Sequence, residues 1–233
     1  MKGYWLAADH MGQRRVNRFL DQFGSELFGV KTRALFFEAR AQEHVKMLKE
    51  HGAKHVWVDL KIDETPDSAE EAAALLTRVG VDFVTVHASG GDVMMKKVVD
   101  TGIGVYAVLI LSSLKDAQAR RYYRDDAFEN MVEDAAIAGV TGFICSPTKV
   151  PTLRGFLNRL NRYSSYDIVS PGTRFIGTDA NDQEQVEAPG VTIANGADFL
   201  VVGRMVTAAP NPRRAMDKLQ AEVDEAVRSL QVS

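Results

Sequence analysis

The chain has 233 residues, with 28 basic and 31 acidic side chains and a net charge of −3. That balance provides no basic field for nucleic acid, and 45% hydrophobic with 25% charged residues excludes disorder and coiled coil. Cys145 stands alone, which excludes an internal disulfide and a multi-cysteine metal site. The first residues (MKGYWLAADH) lack the apolar stretch of a signal peptide, and the longest apolar run, 103–111, is too short to cross a bilayer. The expectation is one soluble, cytoplasmic domain over residues 1–233.

In chain order, a strand over 3–9 precedes a helix over 13–23. A strand over 27–31 and a helix over 34–50 follow. The third strand comes after Gly52 and ends at Asp59, before a helix over 68–78. The fourth runs from Gly80 to His87 and the fifth spans 103–111. A helix over 127–138 leads to the sixth strand, from Gly139 to Ser146. The seventh spans 166–170, and the eighth runs from Gly196 to Gly203, before a helix over 212–230. Strands three, four, six and eight share one pattern: a glycine, short turn residues, then a nearly continuous run rich in Val, Ile and Phe. Glycine suits the left-handed position past a helix end, and unbroken apolar runs mark strands covered on both faces. Eight strands alternating with helices imply a closed (β/α)8 barrel, with a doubly wound open sheet as the fallback. The segment 172–189 is the longest without periodicity, and such loops are usually functional.

Active sites of such barrels lie at the C-terminal strand ends. Asp9 and Lys31 are expected to end the first two strands. Asp59 and Lys61 at the end of the third share a face by strand alternation. Buried charges persist when paired, so these four at one rim read as a site rather than as surface ion pairs. Asp63, Glu64 and Asp67 fit the start of a helix with Pro66 in its first turn. Beyond the seventh and eighth strands, Pro171-Gly172-Thr173-Arg174 and Gly203-Arg204 combine glycine backbone with arginine, which suits a phosphate group. His51 and His55 read as surface residues, His87 as a hydrogen-bonding support of the rim, and Cys145 as a buried structural thiol. No P-loop or dinucleotide fingerprint occurs.

Taken together, these segments resemble the orotidine 5′-phosphate decarboxylase family. Asp59-Leu60-Lys61-Ile62-Asp63-Glu64 is similar to its Asp-x-Lys-x-x-Asp motif. Thr85-Val86-His87-Ala88 with Gly90-Gly91 resembles its fourth strand, 170–174 with Asp182-Gln183 its phosphate loop, and Val201-Val202-Gly203-Arg204 its last strand. The resemblance implies cofactor-free decarboxylation of orotidine 5′-monophosphate to UMP, with no metal. Lys31, Asp59, Lys61 and Glu64 would be catalytic, with Lys61 the proton donor and Asp59 against the substrate carboxylate. Asp9 and Lys31 would contact the ribose, Ser112 the pyrimidine, and Arg174, Gln183, Gly203 and Arg204 the phosphate. Pro171 and Ser68 complete the substrate contacts. The family forms homodimers in which the last acid of the motif reaches the neighbouring site. It implies a small-molecule nucleotide as substrate, with no nucleic acid or membrane partner.

The chain departs from the pattern at Glu64, where the family has Asp, and at Arg33 and Thr65. A methylene displaces a carboxylate by roughly a bond length, and misplacement by ~1 Å can cost ~10²-fold in rate. The rival readings are an Mg²⁺-dependent sugar-phosphate relative of the 3-keto-L-gulonate 6-phosphate type and a non-catalytic nucleotide-binding barrel. The first carries Glu at the position of Lys31. The second would have no use for intact Lys31, Asp59 and Lys61.

Overall fold

A computed structural model describes residues 1–9, 11–33, 40–110, 121, 123–160, 166–175 and 187–232. Its elements are β1 (Gly3–Ala7), α1 (Gln13–Phe23), β2 (Gly29–Thr32), α2 (Ala41–Glu50), β3 (Val56–Ile62), α3 (Pro66–Arg78), β4 (Phe83–His87), α4 (Gly91–Asp100) and β5 (Gly104–Val108). They continue with α5 (Ala127–Ala138), β6 (Gly142–Ile144), α6 (Val150–Arg159), β7 (Asp167–Ser170), α7 (Pro189–Ala194), β8 (Phe199–Val202), α8 (Arg204–Thr207) and α9 (Pro212–Val232). The strands form a closed barrel in chain order, as the βα alternation predicts.

The helices expected over 13–23 and 127–138 have those bounds. The one expected over 68–78 begins two residues earlier, because Pro66 takes the first helical position, where its missing N–H costs nothing. β1 is shorter than expected and ends two residues before Asp9, whereas β3 runs three residues past Asp59 to Ile62.

The chain divides into two compact units. One comprises Tyr4–Leu109 with Asp125–Phe143; the other comprises Met1–Gly3, Ile110–Arg124 and Ile144–Ser233. In the first, parallel register aligns Ala7 with Lys31, Lys31 with Trp57, Trp57 with Phe83, and Phe83 with Gly104. Partners in register leave the sheet on the same side. Toward the strand starts this side is aromatic. The Trp5 ring lies 5.0–5.3 Å from Phe28, Trp57 and Phe83, all edge-on, and Phe83 stacks on Tyr106 at 5.1 Å. Glycine makes the room: a Cβ on Gly104 would lie 2.4 Å from the Phe83 ring, and one on Gly29 would lie 2.5 Å from the Trp5 ring. The opposite side of the strands carries Leu6, Val30, Val56, Val58, Val84 and Val86, none measurably exposed.

A device that sequence reasoning missed accompanies the repeated glycines. Two residues past Gly80, the Asp82 N–H donates to the Val56 carbonyl (2.9 Å), and its carboxylate accepts the Val56 N–H (2.8 Å). Thr141 after Gly139 does the same to Val105 (2.9 and 3.0 Å), and Asp198 after Gly196 to Ile168 (2.9 and 2.9 Å). Each clasp satisfies both polar groups of a strand residue at its entry. The signal was present as Gly-x-Asp/Thr. Lys54, two residues past Gly52, lacks an acceptor and reaches the Ser25 carbonyl instead.

In the second unit, Arg154 of α6 is 6% exposed and donates to the Gly196 carbonyl (2.7 Å) and to Asp198 (2.5 Å). Met216, Leu219 and Val223 form the buried stripe of α9. Cys145 is buried, and burial pushes its thiol up to about 12, as a structural thiol requires. His51 and His55 keep part of their side chains exposed, as expected of surface residues. His51 pairs with Asp21 at 2.6 Å, and His55 lies 4.5 Å from the Phe28 ring. Among the described residues, no helix is long and apolar enough to cross a membrane.

Candidate active site

The C-terminal ends of β1–β3 carry a chain of alternating charges. The Lys31 ammonium donates to a carboxylate oxygen of Asp9 and to Asp59 Oδ2 (2.9 Å), and Lys61 Nζ donates to Asp59 Oδ1 (2.7 Å). Lys31 is almost fully buried, whereas the Lys61 side chain, 32% exposed, is the most accessible of the four. Burial pushes the Asp59 carboxyl up, but Lys31 and Lys61 outweigh it and hold the group down at about 2. Burial likewise pulls Lys31 down, and Asp59 and Asp9 reverse the direction, so its ammonium is raised above the ordinary lysine value. Asp59 and Lys31 are therefore ionised at neutral pH. Asp9 Oδ1 is buried and has no hydrogen-bond partner among the described residues. Such an acceptor is costly to leave unmade and suits a hydroxyl donor.

The pairing of Asp59 with Lys61 arises differently from simple alternation. The ladder between β3 and β4 runs Trp57 to Phe83 and Val58 to Val84, then resumes at Ile62 with Val86. The intervening Asp59-Leu60-Lys61 bulges, and Lys61 adopts φ 57°, the one positive value for a non-glycine among the described residues. A side chain in that region costs ~1 kcal/mol, and strain of this kind collects at functional sites. The bulge swings the lysine back onto the aspartate that precedes it by two.

The acids after β3 separate. Asp63 Oδ1 lies 3.3 Å from where a Cβ on Gly90 would stand, and its charge acts on His87. His87 is half-buried, and burial lowers its imidazole below the ordinary value despite Asp63. It is neutral at pH 7. Glu64 is exposed and has no ion pair among the described residues. Thr65 stands at the start of α3 without a side-chain cap, and its hydroxyl donates to Ser68 Oγ (3.0 Å). Asp67 lies in the first turn as expected, but Asp63 faces β4 rather than capping the helix.

In the second unit, Ser170 ends β7 buried, donating to the Cys145 carbonyl at 2.9 Å. Pro171 is half-buried and Gly172 takes φ 90°, which turns the chain so that Thr173 bridges Glu187. Arg174 is 9% exposed; its backbone N–H donates to the Glu187 carbonyl (3.0 Å) and its guanidinium to the Thr173 carbonyl (2.8 Å). The Thr173 hydroxyl is buried and lacks a partner among the described residues. Gly203 joins β8 to α8, and Arg204 opens α8 with its side chain exposed. Ser112 and Gln183 lie outside the described residues. Among the described residues, no three His, Cys, Asp or Glu side chains gather as a metal site.

Residues 5–219 match the family described as "Orotidine 5′-phosphate decarboxylase / HUMPS family". An orotidine 5′-phosphate decarboxylase of Moorella thermoacetica is 32% identical over 232 residues, covering 91% of this chain and 87% of the relative. One of Bacillus cereus is 32% identical over 230 residues, covering 90% and 92%. The crystal structure of orotidine 5′-phosphate decarboxylase from Lactobacillus acidophilus superimposes with a TM-score of 0.77 at 25% identity, covering 96% of this chain and 99% of the other. The chain belongs to the orotidine 5′-phosphate decarboxylase / HUMPS family of lyases.

Proposed function

We propose that the protein decarboxylates orotidine 5′-phosphate to UMP and CO2 without a cofactor, a step of UMP biosynthesis. The observation that carries this reading is the strained Lys61 held by Asp59, which is itself held by Lys31. Breaking the bond from C6 to the carboxylate leaves an electron pair on C6 with no sink to delocalise it. The Lys61 ammonium stabilises that developing charge and transfers its proton to C6, giving UMP; the neutral amine then regains a proton from solvent. Asp59, held ionised, stands against the departing carboxylate and orients Lys61. Lys31 and the unpartnered Asp9 oxygen take the ribose hydroxyls, and Ser112 takes the pyrimidine. Pro171, Arg174, Gln183, Gly203 and Arg204 hold the phosphate, whose binding energy is used at the reacting carbon. Ser68 at the start of α3 completes the contacts.

The enzyme works in the cytoplasm as a homodimer in which Glu64 reaches the neighbouring site. Supporting that role over Asp63, the Asp63 carboxylate lies beside Gly90 and its charge acts on His87 of the same chain. The family also contains sugar-phosphate enzymes. Against an Mg²⁺-dependent reaction here, the Lys31 ammonium already stands between Asp9 and Asp59 and would repel a divalent cation.

Purified protein mixed with orotidine 5′-phosphate, with and without EDTA, decides the matter by the pyrimidine's ultraviolet absorbance. The expected result is EDTA-insensitive conversion to UMP that Lys61→Ala lowers by ~10⁴-fold. Tight UMP binding without turnover would instead indicate a binding protein. Turnover of a sugar phosphate requiring Mg²⁺ would indicate the other branch.

A further inference from the structure

Lys31 and Trp57 are register partners on β2 and β3, so their side chains leave the sheet on one side at one level. The Lys31 ammonium lies 5.7 Å from the centroid of the Trp57 ring, within cation–π range. Trp57 is itself fixed. It is 1% exposed, and its Nε1–H donates to the buried Thr85 hydroxyl on β4 at 2.8 Å. Trp5 and Tyr106 meet its ring at 69° and 68°, with centroids 5.2 and 5.1 Å away. A lysine ammonium rides on four flexible methylenes. Asp9 and Asp59 restrain it from the polar side, and the indole restrains it from the side of the aromatic core.

We propose that Trp57, locked by Thr85, is a positioning residue that holds the Lys31 ammonium against Asp59 and thereby sets the placement of Lys61. This rests on the decarboxylase reading for its kinetic part, but the contact itself can be tested without turnover. Trp57 touches none of the reacting atoms; it acts through Lys31.

The test combines spectroscopy with kinetics. The chain has two tryptophans, so protein labelled with 5-fluorotryptophan gives two ¹⁹F resonances, assigned with Trp57→Phe. Lys31→Met is expected to move the Trp57 resonance more than that of Trp5; an unmoved Trp57 resonance overturns the contact. On orotidine 5′-phosphate, Trp57→Leu is expected to lower kcat roughly tenfold, and Trp57→Phe and Thr85→Val each roughly threefold, with smaller changes in KM. Trp57→Phe and Thr85→Val keep the core filled should Trp57→Leu fail to fold. In a Lys31→Met background the same substitutions are expected to cost nothing further, because the partner they position is gone. Additive losses, or an unchanged kcat, overturn the positioning role. Absence of turnover in the unaltered enzyme would defeat the decarboxylase reading, and the ¹⁹F shift would still decide the contact.

Discussion

Strands β1–β3 carry two unlike ends on one side of the sheet. At their starts, Trp5 and Trp57 fill the space with edge-on ring contacts that Gly29 makes possible. At their other ends stand Asp9, Lys31, Asp59 and Lys61, with one lysine in a left-handed backbone and one carboxylate oxygen without a partner among the described residues. The aromatic end is packed ring against ring; the charged end is paired charge against charge and carries the strained backbone. The difference teaches where stability and chemistry reside. Burial and clasped strand entries hold the fold, so the other end can tolerate strain and an unmet acceptor.

Asp198→Ala, at a clasped strand entry in the second unit, has the largest expected effect. It removes a clasp and takes the Asp198 carboxylate from the buried Arg154 guanidinium. A loss of about 3 kcal/mol is expected by urea unfolding, with kcat of the folded fraction unchanged. A loss below 1 kcal/mol would show that the clasp is incidental.

Acid probes the charged end. Asp59 sits at about 2 in the folded protein, below its unfolded value. Its stabilising contribution, about 2 kcal/mol, is therefore complete above pH ~4 and is lost as pH falls from ~4 through ~2. Asp59→Asn is expected to flatten that part of the curve of stability against pH, measured by unfolding at several pH values. A parallel curve would mean that other carboxylates govern acid unfolding.

The smallest effect isolates strain. Lys61→Gly and Lys61→Ala both remove the ammonium, but glycine accepts φ 57° freely. The glycine variant is expected to be the more stable by about 1 kcal/mol, the reverse of the usual order within a strand. Equal melting temperatures would mean that the backbone relaxes when the lysine is removed.

Much of this was legible in the sequence. The repeated glycines and unbroken apolar runs located the strands because those features are local: a cap conformation and a strand covered on both faces. Asp9, Lys31, Asp59 and Lys61 were recognisable because charges at strand ends are informative in a barrel. Trp57 could have been included, since it precedes Asp59 by two on the same strand. The partnership of Lys31 with Trp57 could not, because register between neighbouring strands is set by how their side chains pack.

The sequence by itself determined the order of elements, the glycine caps and the residues that carry charge to the strand ends. The tertiary structure decided the rest. It bulged β3 so that Lys61 returns to Asp59, left Asp63 and Glu64 both exposed with the Asp63 charge acting on His87, and turned Gly-x-Asp into a clasp on the neighbouring strand. The physical reason is range. Caps and apolar runs follow from a residue and its near neighbours, whereas hydrogen bonds and ion pairs between strands depend on which groups the folded sheet brings within 3 Å.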